Sequence, residues 1–274
     1  MFAKTLFPFH ILWYTYICDR IEEAAMGIVI AVTSGKGGTG KTSVTAGVAA
    51  YLSEIGRSVL CIDMDIGLRN LDIALGLNDQ ALMDFSDVAL GYCPLRRAAV
   101  EHPTLKNLSL LTAPMHLPAG LGVKDVEGLL NTARTMYDYV LIDSPAGLGA
   151  GFQLAIAHAD RVLVVATNDA SSLRDAQRVV TELGHIKQVH LVMNRIQPKL
   201  LRRLRTTIDD AMNAAGLPLI GVVPEDAEVM LCANRGLPLT SRGRKGAGQA
   251  CWNIAQRLDG LPVPIMRIRK QGLF

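Results

Sequence analysis

Aromatic residues are scarce in this chain, at 5% of 274 positions, and cysteine is scarcer still. The five cysteines, Cys18, Cys61, Cys93, Cys232 and Cys251, are odd in number and form no C-x-x-C pair. That pattern argues against a disulfide framework and against a zinc or iron–sulfur site, and it fits buried, reduced thiols in a cytosolic protein. Excess charge is also lacking. A net +3 is too small to mark the whole chain as a nucleic-acid binder, so any basic surface has to be local. The apolar stretch Leu6–Cys18 is too short to span a bilayer and contains Pro8 and His10. The charged DRIEE that follows it makes a poor signal-peptide cleavage region. Residues 1–25 therefore read as an N-terminal extension, with Met26 opening the working domain.

Hydrophobic residues, by contrast, make up half the chain. From Gly27 onward apolar runs alternate with helical segments. The runs Ile28–Thr33, Ser58–Asp63, Leu108–Ala113, Tyr139–Asp143, Arg161–Thr167, Val189–Asn194 and Leu219–Val223 each read as a strand buried on both faces. Between them lie segments such as KTSVTAGVAAYLSEIG, which closes on a C-capping Gly56. This alternation predicts an α/β fold: a doubly wound, mostly parallel sheet with helices on both faces, over residues 26–260. Ligands of such sheets bind at the carboxyl ends of the strands.

The stretch SGKGGTGKTS, Ser34–Ser43, stands at the first such end. Gly35, Gly40, Lys41 and Thr42 satisfy G-x-x-x-x-G-K-[ST] between a strand and a helix, the pattern of a phosphate loop. Its glycines let successive N–H groups converge on phosphate oxygens, Lys41 neutralises β/γ-phosphate charge, and the Thr42 hydroxyl ligates Mg²⁺. Gly35, Gly37 and Gly40 also fit G-x-G-x-x-G, with Asp63 downstream, which would suit a dinucleotide; that fingerprint has no use for Lys41–Thr42. Acidic residues stand at the neighbouring strand ends. Asp143, in YVLIDSPAG, is placed to hold Mg²⁺ through water, and Asp63 and Asp65 offer two carboxylates before a glycine-containing turn. Lys36 is superfluous to its own loop. In a phosphate nest the early side chains point outward, so this ammonium is either a solvated surface lysine or, if a second copy docks face to face, one able to reach that copy's phosphates as an arginine finger does.

The loop KGGTGKT resembles the deviant Walker A loop of the MinD/ParA class of P-loop ATPases, and DMDIGLRNLD, DSPAG, SSLRDAQRV and VPEDAEVM are most similar to its septum-site-determining MinD branch. The similarity runs from about Met26 to the C-terminus. By position, the resemblance implies that Lys36 acts in trans across an ATP-bound homodimer and that Lys41 binds phosphate. Thr42, Asp63 and Asp143 serve the magnesium, and Asp65 positions the hydrolytic water. Gly35, Gly37, Gly38, Thr39, Gly40 and Ser43 complete the nucleotide loop, while Asn194, Arg195, Pro224 and Asp226 lie on the adenine side. Thr39 stands where valine is common, and its side chain is expected to face outward.

The segment Pro264–Phe274 resembles the amphipathic membrane-targeting helix of that branch, Ile265, Met266, Ile268 and Leu273 falling opposite Arg267, Lys270 and Gln271. The resemblance implies that residues 261–274 are a tail for anionic lipids; on the residues alone a frayed end or a docking strand is the alternative. The resemblance implies an ATPase that joins the inner face of the cell membrane in its ATP state and positions the division inhibitor MinC, with MinE or a topological anchor as regulator. The helix holding Arg174 and Asp175 is a docking surface on this reading. A basic run, Arg195–Thr207, reads first as a solvated helix face, and as a DNA-phosphate contact if the chain is instead a partition ATPase. A flagellar-placement ATPase of the same class is the nearer alternative.

Overall fold

The computed structural model describes residues 26–266 apart from Asp79 and His185. Residues 1–25, and the tail after Met266, lie outside the described residues. In chain order the elements are β1 (Ile28–Thr33), α1 (Lys41–Glu54), β2 (Val59–Asp63), α2 (Leu71–Leu75), α3 (Phe85–Ala89), α4 (Leu95–Ala98), β3 (Val100–Glu101), β4 (Leu108–Leu111) and α5 (Val123–Arg134). They continue with β5 (Tyr139–Asp143), α6 (Ala150–Ile156), β6 (Arg161–Ala166), α7 (Ala170–Glu182), β7 (Gln188–Ile196), α8 (Pro198–Leu204), α9 (Ile208–Ala215), β8 (Leu219–Pro224), α10 (Ala227–Asn234) and α11 (Gly246–Leu258).

The strands form one sheet of order β3-β4-β2-β5-β1-β6-β7-β8. Every pairing is parallel except that of β3 with β4. The period of two along each strand sorts its side chains between the covers. Ile30, Val32, Cys61, Leu141, Leu163 and Val192 enter the core under α1 and α11. Their neighbours Val29, Leu60, Ile62, Val140 and Ile142 face α3 to α6, and Val162, Val164, Leu191 and Met193 face α7 and α9. Both faces are covered, which is why the runs are apolar without alternation.

Two strands differ from the sequence reading. The short antiparallel β3 carries no apolar run and was not anticipated. β7 extends to Ile196, and its register with β8 shifts between Met193 and Ile196. Asn194 and Arg195 therefore form an irregularity inside a strand rather than the loop after it.

Helix α1 is buried on nearly every side, as an Ala-rich helix without an exposed stripe must be. Close approach to α11 requires Gly47, where a Cβ would lie 2.8 Å from the Cys251 sulfur. Tyr51 closes that contact: its ring meets Trp252 edge-on at 5.8 Å, and its hydroxyl donates to the Gly243 carbonyl at 2.9 Å. The helix is thereby fixed with its N-terminus at the carboxyl end of β1.

Candidate functional site

The loop from Ser34 to Gly40 joins β1 to α1. Gly38 (φ 78°) and Gly40 (φ 84°) hold left-handed backbone, which is costly for any residue with a Cβ. The glycines divide by role. A Cβ at Gly37 or Gly38 would meet nothing within 4 Å, and their N–H groups donate to no partner among the described residues, so the loop is open there. At Gly35 a Cβ would lie 2.5 Å from Asp175 of α7, and at Gly40 it would lie 2.3 Å from Asn194 Nδ2. These two glycines let protein pack against the loop. Helix α1 starts without a capping side chain and without an acidic residue in its first turn. Its first N–H groups and the positive end of its dipole are thus directed at the same space.

The acidic half of the site lies on adjacent strands, where Asp63 and Asp143 are register partners. Asp143 is fully buried. The Thr42 hydroxyl donates to its Oδ2 at 2.6 Å, the Thr45 hydroxyl donates to Oδ1 at 3.2 Å, and Lys41 Nζ stands 3.6 Å from Oδ1. Burial raises the Asp143 carboxyl above the usual range against the opposing pull of Lys41, Thr42 and Thr45. Asp63 accepts the N–H groups of Asp65 at 2.9 Å and Leu71 at 3.1 Å. Burial, and then the charge of Asp143, push it up to about 7. Lys41 stands against Asp143 alone, while the two buried carboxylates repel each other, an arrangement a divalent cation would relieve. Asp65 follows β2 in a half-exposed turn through Gly67 (φ 84°).

Lys36 turns away from this cradle. Its ammonium donates to Asp169 Oδ1 at 2.7 Å and to Ser171 Oγ at 2.8 Å, both at the start of α7. The lysine side chain remains 35% exposed. Burial works to raise Asp169, but hydrogen bonds from Lys36, Thr167, Ser171 and the Ser172 N–H hold it well below the usual carboxylate range.

The residues that the resemblance assigns to the adenine side lie around one cleft. Gly40, Ser43, Asn194, Arg195, Pro224 and Asp226 all line one largely apolar cleft of about 560 Å³. Its floor is built from the irregularity in β7. Asn194 Nδ2 donates to the Thr39 carbonyl at 2.8 Å, and Arg195 Nη1 donates to the Gly38 carbonyl at 3.2 Å. Arg195 has φ 56°, a strained setting worth roughly 1–3 kcal/mol, and it is held by a two-pronged pair with Glu225 at 3.0 and 3.2 Å. Asp226 contributes shape, since it caps the Glu228 N–H of α10 and binds the Ala247 N–H of α11 at 2.9 Å.

Thr39 corrects the expectation that it faces outward. It is buried, and its hydroxyl has no hydrogen-bond partner among the described residues. The reason is the two side-chain bonds from β7, which draw the Gly38–Thr39 backbone inward and carry the threonine with it.

The donor set suits a nucleoside polyphosphate with magnesium. Open N–H space lies at Gly37 and Gly38, a buried lysine and a threonine hydroxyl stand over a carboxylate, and an apolar cleft adjoins the loop. Sequence reasoning missed three members of this assembly. Thr45 lies on the same face of α1 as Lys41 and Thr42, and that spacing carried the signal. Asp169 could have been read as the N-cap preceding SSLRD. Glu225 had no local signal, because its partner is set by the strand irregularity.

Residues 30–239 match the family model described as CobQ/CobB/MinD/ParA nucleotide binding domain. The septum site-determining protein MinD of Helicobacter pylori is 40% identical over 261 residues, which is 91% of this chain and 97% of that protein. A chain of the MinC:MinD cell division protein complex of Aquifex aeolicus superposes with a TM-score of 0.79 at 37% identity, over 88% of this chain and 99% of that one. MinD of Pyrococcus horikoshii, solved with Mg-ADP, gives a TM-score of 0.75 at 28% identity, over 86% and 97% of the two chains.

Proposed function

The chain belongs to the CobQ/CobB/MinD/ParA family of nucleotide-binding domains and, within it, to the MinD ATPases; from that premise we propose that it is an ATP-driven dimerisation switch, one that carries a division inhibitor to the inner face of the cell membrane. Its substrate on this reading is ATP with magnesium, held by Gly35, Lys36, Gly37, Gly38, Thr39, Gly40, Lys41, Thr42 and Ser43, with adenine between Asn194, Arg195 and Pro224. Magnesium supplied with the nucleotide lowers the cost of phosphate charge when bound. The open N–H groups at Gly37 and Gly38 bind phosphate oxygens, and Lys41 exchanges its contact with Asp143 for one with phosphate. Thr42, Asp143 and Asp63 would hold the magnesium. Asp65 orients the attacking water.

The observation that carries the switch is the direction of Lys36. Its ammonium is held by Asp169 and Ser171 rather than by Asp143, is 35% exposed, and lines one cleft with Gly37 and Gly38. A second copy approaching face to face can take it from Asp169 and Ser171 at small cost, because an exposed ion pair is worth about 1 kcal/mol or less. Each site then receives a cation it cannot supply itself, so pairing and hydrolysis become one event.

Membrane attachment follows from pairing. The three tail cations Arg267, Arg269 and Lys270 contribute about 3 kcal/mol at an anionic leaflet, a weak anchor alone. Two tails on one dimer raise avidity by roughly 10²–10⁴. Among the described residues no helix is long and apolar enough to cross a membrane. The likeness to the Aquifex MinC:MinD complex supports MinC as the cargo. Flotation with vesicles of phosphatidylcholine and phosphatidylglycerol tests the reading. The chain is expected to float with Mg-ATP and not with Mg-ADP, and to lose flotation when residues 267–274 are removed. Equal flotation in both nucleotides would overturn the switch.

A further inference from the structure

Helix α8 is unlike the other helices on its side of the sheet: none of its residues is buried. Lys199, Arg202 and Arg203 are exposed and take part in no ion pair or side-chain hydrogen bond among the described residues. On the same helix Leu200 and Leu204 are 43% and 50% exposed. Four positions apart, they share a face. That pair lines a cleft shared with Lys36, Gly37 and Asp169, so it faces the loop, while Lys199 and Arg203, also four apart, lie on the adjoining solvent side of the helix.

The tail leaves the fold beside this helix. Arg257 of α11 donates Nη1 to the Ile220 carbonyl of the edge strand β8 at 2.7 Å and Nε to the Val263 carbonyl at 2.7 Å. It also donates Nη2 to the Pro264 carbonyl. One guanidinium thereby pins the stem of the tail to the sheet edge. Ile265 and Met266 then line a groove of about 470 Å³ together with Pro198 and Leu201 of α8. The next cations in the sequence, Arg267, Arg269 and Lys270, follow directly from that point.

We propose that α8 is a second contact with the anionic bilayer surface, set beside the tail so that both meet one leaflet. The proposal rests on the membrane reading above and adds to it the face of the domain that lies down. Three cations, unpaired among the described residues, on one short exposed helix match the headgroup boundary, where they meet lipid phosphate. Duplex DNA would use the same cations, but the stem of the tail lines one groove with Pro198 and Leu201 of this helix, which favours the surface that the tail meets. Asp209 and Asp210 follow at the start of α9, and Asp210 accepts from the Thr207 N–H and hydroxyl.

The test uses the full chain with Mg-ATP and phosphatidylcholine vesicles containing phosphatidylglycerol, over a range of salt. The triple variant Lys199→Gln, Arg202→Gln, Arg203→Gln keeps helix propensity and touches none of the nucleotide site. Its apparent vesicle affinity at low salt is expected to fall by roughly a hundredfold, since each cation near the surface contributes about 1 kcal/mol. Turnover without lipid and the melting temperature stay as in the wild type. Wild-type vesicle binding by the triple variant overturns the proposal and leaves the tail reading standing. Loss of duplex-DNA binding with vesicle binding intact also overturns it, in favour of a nucleic-acid surface. Failure of the wild type itself to bind vesicles removes the membrane reading and this proposal with it.

Discussion

Replacing Thr42 with valine keeps the shape of the side chain and removes one hydroxyl. That hydroxyl donates at 2.6 Å to a carboxylate with no exposure to solvent. Hydrogen bonds to buried charge contribute about 1.5–3 kcal/mol, and in a domain of this size each kcal/mol lowers the melting temperature by roughly 2–4 °C. The nucleotide-free variant should therefore melt roughly 3–12 °C below the wild type. Asp143 also loses one of the interactions opposing its burial, so its carboxyl moves further up. Thr42→Ser, which keeps the donor, should restore both. Calorimetric titration with ADP, with and without magnesium, separates function from stability. In the wild type magnesium is expected to strengthen nucleotide binding, whereas in Thr42→Val it should add little. A valine variant that melts like the wild type and still responds to magnesium would refute the placement of this hydroxyl.

Further expectations follow from the same geometry. Gly35→Ala should destabilise the fold, because its Cβ would lie 2.5 Å from Asp175, whereas Gly37→Ala meets nothing within 4 Å and should leave melting unchanged while weakening nucleotide binding. Asp65→Ala should alter stability little, since its carboxylate makes no hydrogen bond among the described residues, and should slow turnover by roughly 10²–10⁴ while dimers persist on analytical ultracentrifugation. Unchanged turnover would remove Asp65 from water positioning. Asp63 has a folded value of about 7 against an ordinary 3.8. The folded state therefore binds the proton more tightly than the unfolded one, and this group's contribution to nucleotide-free stability falls as pH rises from about 4 to about 7. Magnesium-dependent nucleotide affinity should run the other way, rising through about pH 7 as the carboxylate ionises. Asp63→Asn should flatten the stability trend, and melting curves across that range check it.

Much of this site could be read from the chain because its determinants are local. The phosphate loop, Asp63 and Asp143 each follow an apolar run, and a parallel sheet places the ends of its strands along one edge. The distances between runs were enough to bring Lys41, Thr42 and Asp143 together. What escaped the sequence depends on contacts between distant segments. Thr39 turns inward because Asn194 and Arg195 pull on the loop backbone, and those residues can do so because β7 shifts register after Met193. No period in the sequence announces a register shift. The pairing of Lys36 with Asp169 joins residues 133 positions apart, so the loop alone gave the direction of Lys36 but not its partner. The antiparallel β3 is two residues long, too short for any pattern to register.

The central claim is that each active site borrows Lys36 from the other protomer, and mixing two inactive variants tests it most directly. Lys36→Ala retains Asp65 and its own cradle, while Asp65→Ala retains Lys36. Each alone should hydrolyse ATP at a trace rate. In the mixed dimer the cradle of the Lys36→Ala chain receives a lysine from the Asp65→Ala chain, and turnover should return on mixing. A mixture as silent as its components, or a Lys36→Ala chain that hydrolyses normally by itself, would contradict the account.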